Sequence, residues 1–141
     1  MPVTDAMTAA IGVRPLRAFM ARDHVCVLPA EEDVRWAAPP AEALLGLDGR
    51  LLHITAAGSD YDCVTRSFGP KLAVYQAPVC GSGHCRVIPY WAEATGRHRL
   101  RALQASKRTG ELFCRLEGGR LFIAGEAVLF AESVLHLPQL D

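Results

Sequence analysis

From Ser82 to Thr95 the chain reads SGHCRVIPYWAEAT and stops at Gly96. The segment reads as a helix, and a glycine just past the last helical residue is a common helix stop. Its middle, Val87-Ile88-Pro89-Tyr90-Trp91-Ala92, is apolar on every side, with polar residues confined to the ends. A helix apolar all round must be enclosed. The strands before and after it are the material available to enclose it. The expected fold class is therefore α+β: a mixed, mainly antiparallel sheet rolled around a central apolar helix. Pro89, in the second turn, is expected to bend the axis.

Outward from this helix the chain divides into short elements. Residues 4–11 read as a helix with Thr4 or Asp5 as N-cap and Gly12 past the end. Leu16–Ala21 and Val25–Leu28 read as strands joined at Arg22–Asp23, and Leu51–Ala56 and Tyr61–Phe68 as strands joined at Gly58–Ser59. Between the pairs, Glu31–Ala37 and Ala41–Leu45 are helical and separated by Pro39–Pro40. On Tyr61–Phe68 the alternation sets Tyr61, Cys63 and Thr65 on one face and Asp62, Val64 and Arg66 on the other. The last third reads as a meander of His98–Gln104, Glu111–Leu116, Leu121–Ala124 and Ala127–Phe130, with Gly118–Gly119 supplying a hairpin turn. Helices do not alternate regularly with strands, so a doubly wound parallel sheet fits poorly. Arg97, Arg99 and Arg101 share a strand face, read as a solvated edge in preference to a phosphate grip.

Composition narrows the function. The 141 residues point to a single domain spanning 1–141, and half of them are apolar. Fifteen basic residues balance fifteen acidic ones, so no electrostatic case exists for nucleic acid or an acidic membrane. No stretch approaches 18 uninterrupted apolar residues, and the start MPVTDAMTAAIGV lacks the basic and apolar regions of a signal peptide. Five cysteines, odd in number and without a CxxC pair, favour a reduced, cytoplasmic protein.

Just before the helix stands Ala77-Pro78-Val79-Cys80-Gly81-Ser82-Gly83-His84. Helix N-termini present free N–H groups and partial positive charge to anions, here a substrate carboxylate. Gly81 and Gly83 allow close approach, and Ser82 can cap the helix. A cysteine at such a place becomes more acidic, and Cys80 occupies it. Equally, the glycines and Ser82 serve as a plain cap with Cys80 as packing. A Cys80–His84 nucleophile pair is conceivable at i,i+4. GSGHCR has Arg86 where a dinucleotide fingerprint needs its last glycine. Cys80-x3-His84-Cys85 matches no zinc spacing, so no metal is expected.

The pieces YDCVTRSFGPKLAV, APVCGSGHCRVIPYWAEATG and LRALQASKRTGELFCRLEGGRLFIAGEAV resemble the C-terminal half of the phenazine-biosynthesis (PhzF-like) isomerase family. Residues 8–60 follow that half in outline. The resemblance implies the fold of diaminopimelate epimerase and proline racemase: two similar domains, each a sheet rolled around a central helix, with the active site between them. This chain is then expected to be one half of the usual two-domain protein. The resemblance implies cofactor-independent proton transfer at carbon. Carried over, Gly81, Ser82 and Gly83 form the anion cradle with His84 beside it. Arg66 and Ser67 approach the same cleft, and Cys80 stands where the epimerases place a catalytic cysteine. Where that family carries an acid before Pro-Val, this chain has Ala77, and the glutamate base belongs to the other half.

Two functions follow as expectations. One is an isomerase or epimerase acting on a small carboxylate metabolite, its cleft completed by a homodimer or a complementary N-terminal half-chain. The other is a non-catalytic ligand-binding or partner module, for which Ala77 and the absent base argue. A truncated product with a sticky exposed face is a third.

Overall fold

The computed structural model describes residues 1–137. Eight strands form one sheet in the order β1-β2-β3-β4-β6-β7-β8, with β5 paired to β4 beside β6. They are β1 Arg17–Met20, β2 His24–Val27, β3 Leu52–Ala57, β4 Cys63–Gly69, β5 Val74–Gln76, β6 Arg99–Gln104, β7 Gly110–Glu117 and β8 Arg120–Ala124. Among the described residues only β2–β3 and β4–β6 pair in parallel. The fold is mixed α+β with an open, mostly antiparallel sheet.

The helices α1 Asp5–Ile11, α2 Glu31–Trp36 and α3 Ala41–Leu45 pack on one face, and α4 Gly81–Thr95 on the other. Strand alternation explains this division. Leu52, Ile54 and Ala56 of β3 join Val64 and Phe68 of β4 in the core under α1–α3. Cys63 and, from neighbouring strands, Val25, Val27, Ala102 and Leu112 meet Val87, Ile88, Trp91 and Ala92 of α4. Thr4 caps α1 through a 3.3 Å bond from Met7 N–H. The Gly118–Gly119 turn has both residues at positive φ, 56° and 74°, as a two-residue hairpin requires.

Four details differ from expectation. The central helix is not enclosed: Gly83, His84, Val87, Ile88, Trp91 and Ala92 are buried, while Cys85, Arg86, Pro89 and Glu93 face outward. The helix therefore lies against the sheet through one stripe, and the apolar run hides a 3.6-residue period whose polar side falls on Arg86 and Glu93. Residues 127–130 form no strand. Beyond β8 the chain leaves the sheet, with Val128, Leu129 and Phe130 exposed. The arginine-bearing strand β6 is not an edge but lies between β4 and β7, although Arg99 and Arg101 are indeed solvated. Finally, the short strand β5 was not foreseen. Among the described residues no helix is long and apolar enough to cross a membrane.

Candidate functional site

The start of α4 sits over the β3–β4 pair. Cys80 is the N-cap residue, so Ser82 occupies the second helical position rather than the cap. A β-carbon at Gly81 would meet nothing within 4 Å, so the helix start is open on the Gly81 side. Two clefts lie along α4. One, of about 450 Å³, is lined by Gly81, Arg108, Thr109 and Glu126 among others. The second, of about 370 Å³, lies between β1–β2 and the open side of α4 and is lined by Asp23, Cys85 and Arg86. Cys80 is mostly covered, and its Sγ lies 3.6 Å from Ser82 Oγ.

Beneath the turn runs a buried polar chain. The β3–β4 register pairs His53 with Ser67, which places both side chains on the α4 face. His53 Nδ1 lies 2.8 Å from Ser67 Oγ, and Nε2 lies 3.7 Å from Asp23 Oδ2. Both His53 and Asp23 have fully buried side chains. Burial holds His53 neutral, its pKa pushed down to about 4 against the pull of Asp23. The partners assign a neutral tautomer in which Ser67 O–H donates to Nδ1 and the Nε2 proton faces the carboxylate. Burial alone would raise the Asp23 pKa. The hydrogen bonds and charge of Arg22, with His53, outweigh it and hold the carboxyl below its usual range. Arg22 donates Nε and Nη2 to Asp23 Oδ2 at 3.0 and 2.6 Å, and Nη2 also reaches Ser82 Oγ at 3.3 Å.

The sequence-derived candidates thus separate. Cys80, Gly81, Ser82 and Gly83 stand together at the helix start. His84 is buried below it, its Nδ1 2.8 Å from the Cys80 carbonyl oxygen and its Nε2 3.4 Å from Thr65 Oγ1. Its ring is turned to the Cys80 carbonyl instead of the thiol, so the conceivable Cys80–His84 nucleophile pair does not form. Burial lowers the His84 pKa and keeps it neutral. Ser67 lies buried under the cradle, bonded to His53. Arg66, one residue earlier on β4, points through the opposite face. There it donates to the carbonyls of Val34, Arg35 and Ala37 where α2 ends, and to Gln76 Oε1. Asp23, His53 and Arg22 were not singled out from sequence. The β2–β3–β4 register is what brings His53 to Ser67 and Asp23.

The comparisons agree with this fold. Residues 18–133 match the family described as phenazine biosynthesis-like protein (PhzC-PhzF). The chain is 43% identical over 135 residues to a protein named uncharacterized isomerase PA3578, and 36% over 133 to uncharacterized isomerase PA2770, both of Pseudomonas aeruginosa. These alignments cover 95% and 94% of this chain but 52% and 51% of the relatives, so the chain spans about half the length of the curated relatives it matches. A crystal structure of a PhzF-family protein from Enterococcus faecalis superposes with a TM-score of 0.89 at 40% identity, over 93% of this chain and 51% of that one. A PhzC/PhzF protein from Clostridium difficile gives 0.87 at 36% identity, over 97% and 53%. The chain belongs to the phenazine biosynthesis-like (PhzC-PhzF) family.

Proposed function

We propose that this chain acts as a cofactor-independent isomerase or epimerase on a small carboxylate metabolite, moving a proton at the carbon beside the carboxylate. The observation that carries this is the first turn of α4, exposed at Gly81 and Ser82, with Cys80 Sγ 3.6 Å from Ser82 Oγ. The N–H groups of Gly81, Ser82 and Gly83 hold the carboxylate, and the helix dipole stabilises the negative charge that develops as the carbon–hydrogen bond breaks. Cys80, as thiolate, takes the proton and becomes a thiol. A second Cys80, from another copy of the chain, donates its proton to the opposite face and becomes a thiolate. The two cysteines have then exchanged states, and solvent resets them. A two-fold dimer brings two such helix starts together, and C2 is the commonest oligomer symmetry. Names of relatives as isomerases support the reaction class, and five free thiols suit a reducing cytoplasm.

A second reading, a non-catalytic binding module, is favoured by two observations. Position 77 is alanine, and both His84 nitrogens are turned away from the Cys80 thiol. The readings separate in deuterium oxide. A panel of small amino and hydroxy carboxylates is incubated with the chain and followed by NMR for deuterium at the carbon beside the carboxylate. Catalysis gives incorporation that Cys80→Ala abolishes. Binding without incorporation leaves the module, and incorporation retained in Cys80→Ala removes the cysteine mechanism.

A further inference from the structure

We infer that Arg22 is the charged arm of the carboxylate cradle, and that Asp23, with His53 and Ser67 behind it, is the device that fixes its guanidinium against the helix start. The inference rests on the carboxylate-binding reading above and adds the residue that sets its strength and charge selectivity.

A helix N-terminus open to water holds an anion weakly, because the dipole is worth only about half a charge and solvent screens it. A guanidinium supplies a full charge and a planar fork of donors matched to a carboxylate. Arg22 stands at the helix start with one edge of that fork on Asp23: its Nη2 is 3.3 Å from Ser82 Oγ, and its side chain is 45% exposed. The bonds it makes to Asp23 and Ser82 come from Nε and Nη2, which leaves Nη1 without a partner among the described residues.

The arrangement behind Arg22 points the same way. Asp23 has a fully buried side chain, its Oδ1 has no hydrogen-bond partner among the described residues, and it borders the cleft beside the open face of α4. His53 Nε2, also buried, has no hydrogen-bond partner either. Burying a carboxylate that leaves one oxygen unsatisfied is costly, and packing alone gives no reason for it at a strand start. The cost has a return if the carboxylate holds the arginine. With its negative end sealed inside and its positive end at the surface, the Asp23–Arg22 pair is a dipole with its positive end toward the cradle, adding to that of α4. Behind that carboxylate packs the buried His53 ring, its Nε2 3.7 Å from Oδ2 and its Nδ1 held by Ser67 Oγ.

The test is a titration of the nitrogen-15-labelled chain with sodium malonate, followed at the Gly81, Ser82 and Gly83 amides, with uncharged malonamide as control. Malonate is expected to shift these amides saturably and malonamide to leave them unmoved. Arg22→Gln is expected to raise Kd at least tenfold, with Arg22→Lys recovering only part because it lacks the fork. Asp23→Asn should weaken binding like Arg22→Gln, and the double variant should be no weaker than either single one, since both remove the same contact. Saturable binding that Arg22→Gln changes less than twofold overturns the inference and leaves the cradle standing. Equal shifts from malonamide, or additive losses in the double variant, also overturn it. Still amides in the unaltered chain overturn the cradle reading and the inference together. Arg22 is half-exposed, so its variants fold even where Asp23→Asn does not, and they decide the question alone.

Discussion

His53 lies directly under Gly83. A β-carbon at position 83 would come within 2.7 Å of His53 Cε1, 2.8 Å of Nδ1 and 3.2 Å of Cys80 Sγ. The imidazole is fully buried and bonded at Nδ1 to Ser67, so it has nowhere to retreat. Replacing glycine by alanine inside a helix ordinarily stabilises by about 1 kcal/mol. Here overpacking costs about 1–3 kcal/mol, so Gly83→Ala is expected to lower stability by up to about 2 kcal/mol in urea unfolding. Gly81→Ala, which meets open space, is expected to be neutral or stabilising.

Arg66 ties strand β4 to the end of α2. Its guanidinium bonds three backbone carbonyls and lies 5.0 Å from the Phe68 ring centroid. Arg66→Ala is expected to cost about 2–3 kcal/mol through lost charged hydrogen bonds. Malonate binding at Gly81–Gly83 should stay unchanged, because Arg66 is on the far face of the sheet. A weakened malonate Kd in a folded Arg66→Ala chain would return this residue to the cleft.

Stability should fall in mild acid. His53 is held at about 4 in the folded chain against an ordinary 6.5, so below 6.5 the unfolded chain binds a proton that the folded chain refuses. The unfolded state gains protons first, and stability drops as pH falls from 6.5 towards 4. For His53 alone the loss reaches about 2 kcal/mol by pH 5, and His24 and His84, also depressed mainly by burial, add to it. Urea unfolding at pH 7 and pH 5 measures the difference, and His53→Gln should shrink it.

Thiol chemistry should be selective. Cys85 is exposed on the open face of α4, whereas Cys26, Cys63 and Cys114 are buried. Burial raises their thiols, Cys26 to about 12 and Cys114 to about 11, with Cys63 shifted the same way. Iodoacetamide on the folded chain, read by mass spectrometry, is expected to modify Cys85 first and Cys26, Cys63 and Cys114 only after unfolding; Cys80, also buried, is expected to react more slowly than Cys85. Labelling of Cys80 is therefore best followed in a Cys85→Ser background.

Much of this architecture is legible in the sequence because local signals and burial agree. Gly12, Gly96 and Gly118–Gly119 end or reverse the chain as read, and the alternation over Tyr61–Phe68 sets Cys63 and Thr65 apart from Val64 and Arg66 as observed. The extent of enclosure of α4 was misjudged because Cys85, Pro89 and Tyr90 count as apolar by type yet lie at the helix rim or outside it. Residues 127–130 look like a strand by composition, but a strand needs a neighbour, and no local signal supplies one. The polar chain under the cradle was invisible for a different reason. Asp23, His53 and Ser67 are far apart in sequence, and only the pairing of β2 with β3 and β3 with β4 brings them together.

Whether two helix starts, each with its Cys80, meet across one substrate is read most directly from the mass of the chain in solution. Light scattering on a sizing column, with malonate present, is expected to give close to twice 15.3 kDa. A particle of 15.3 kDa at every concentration would contradict the self-completed cleft and leave the search for a complementary chain.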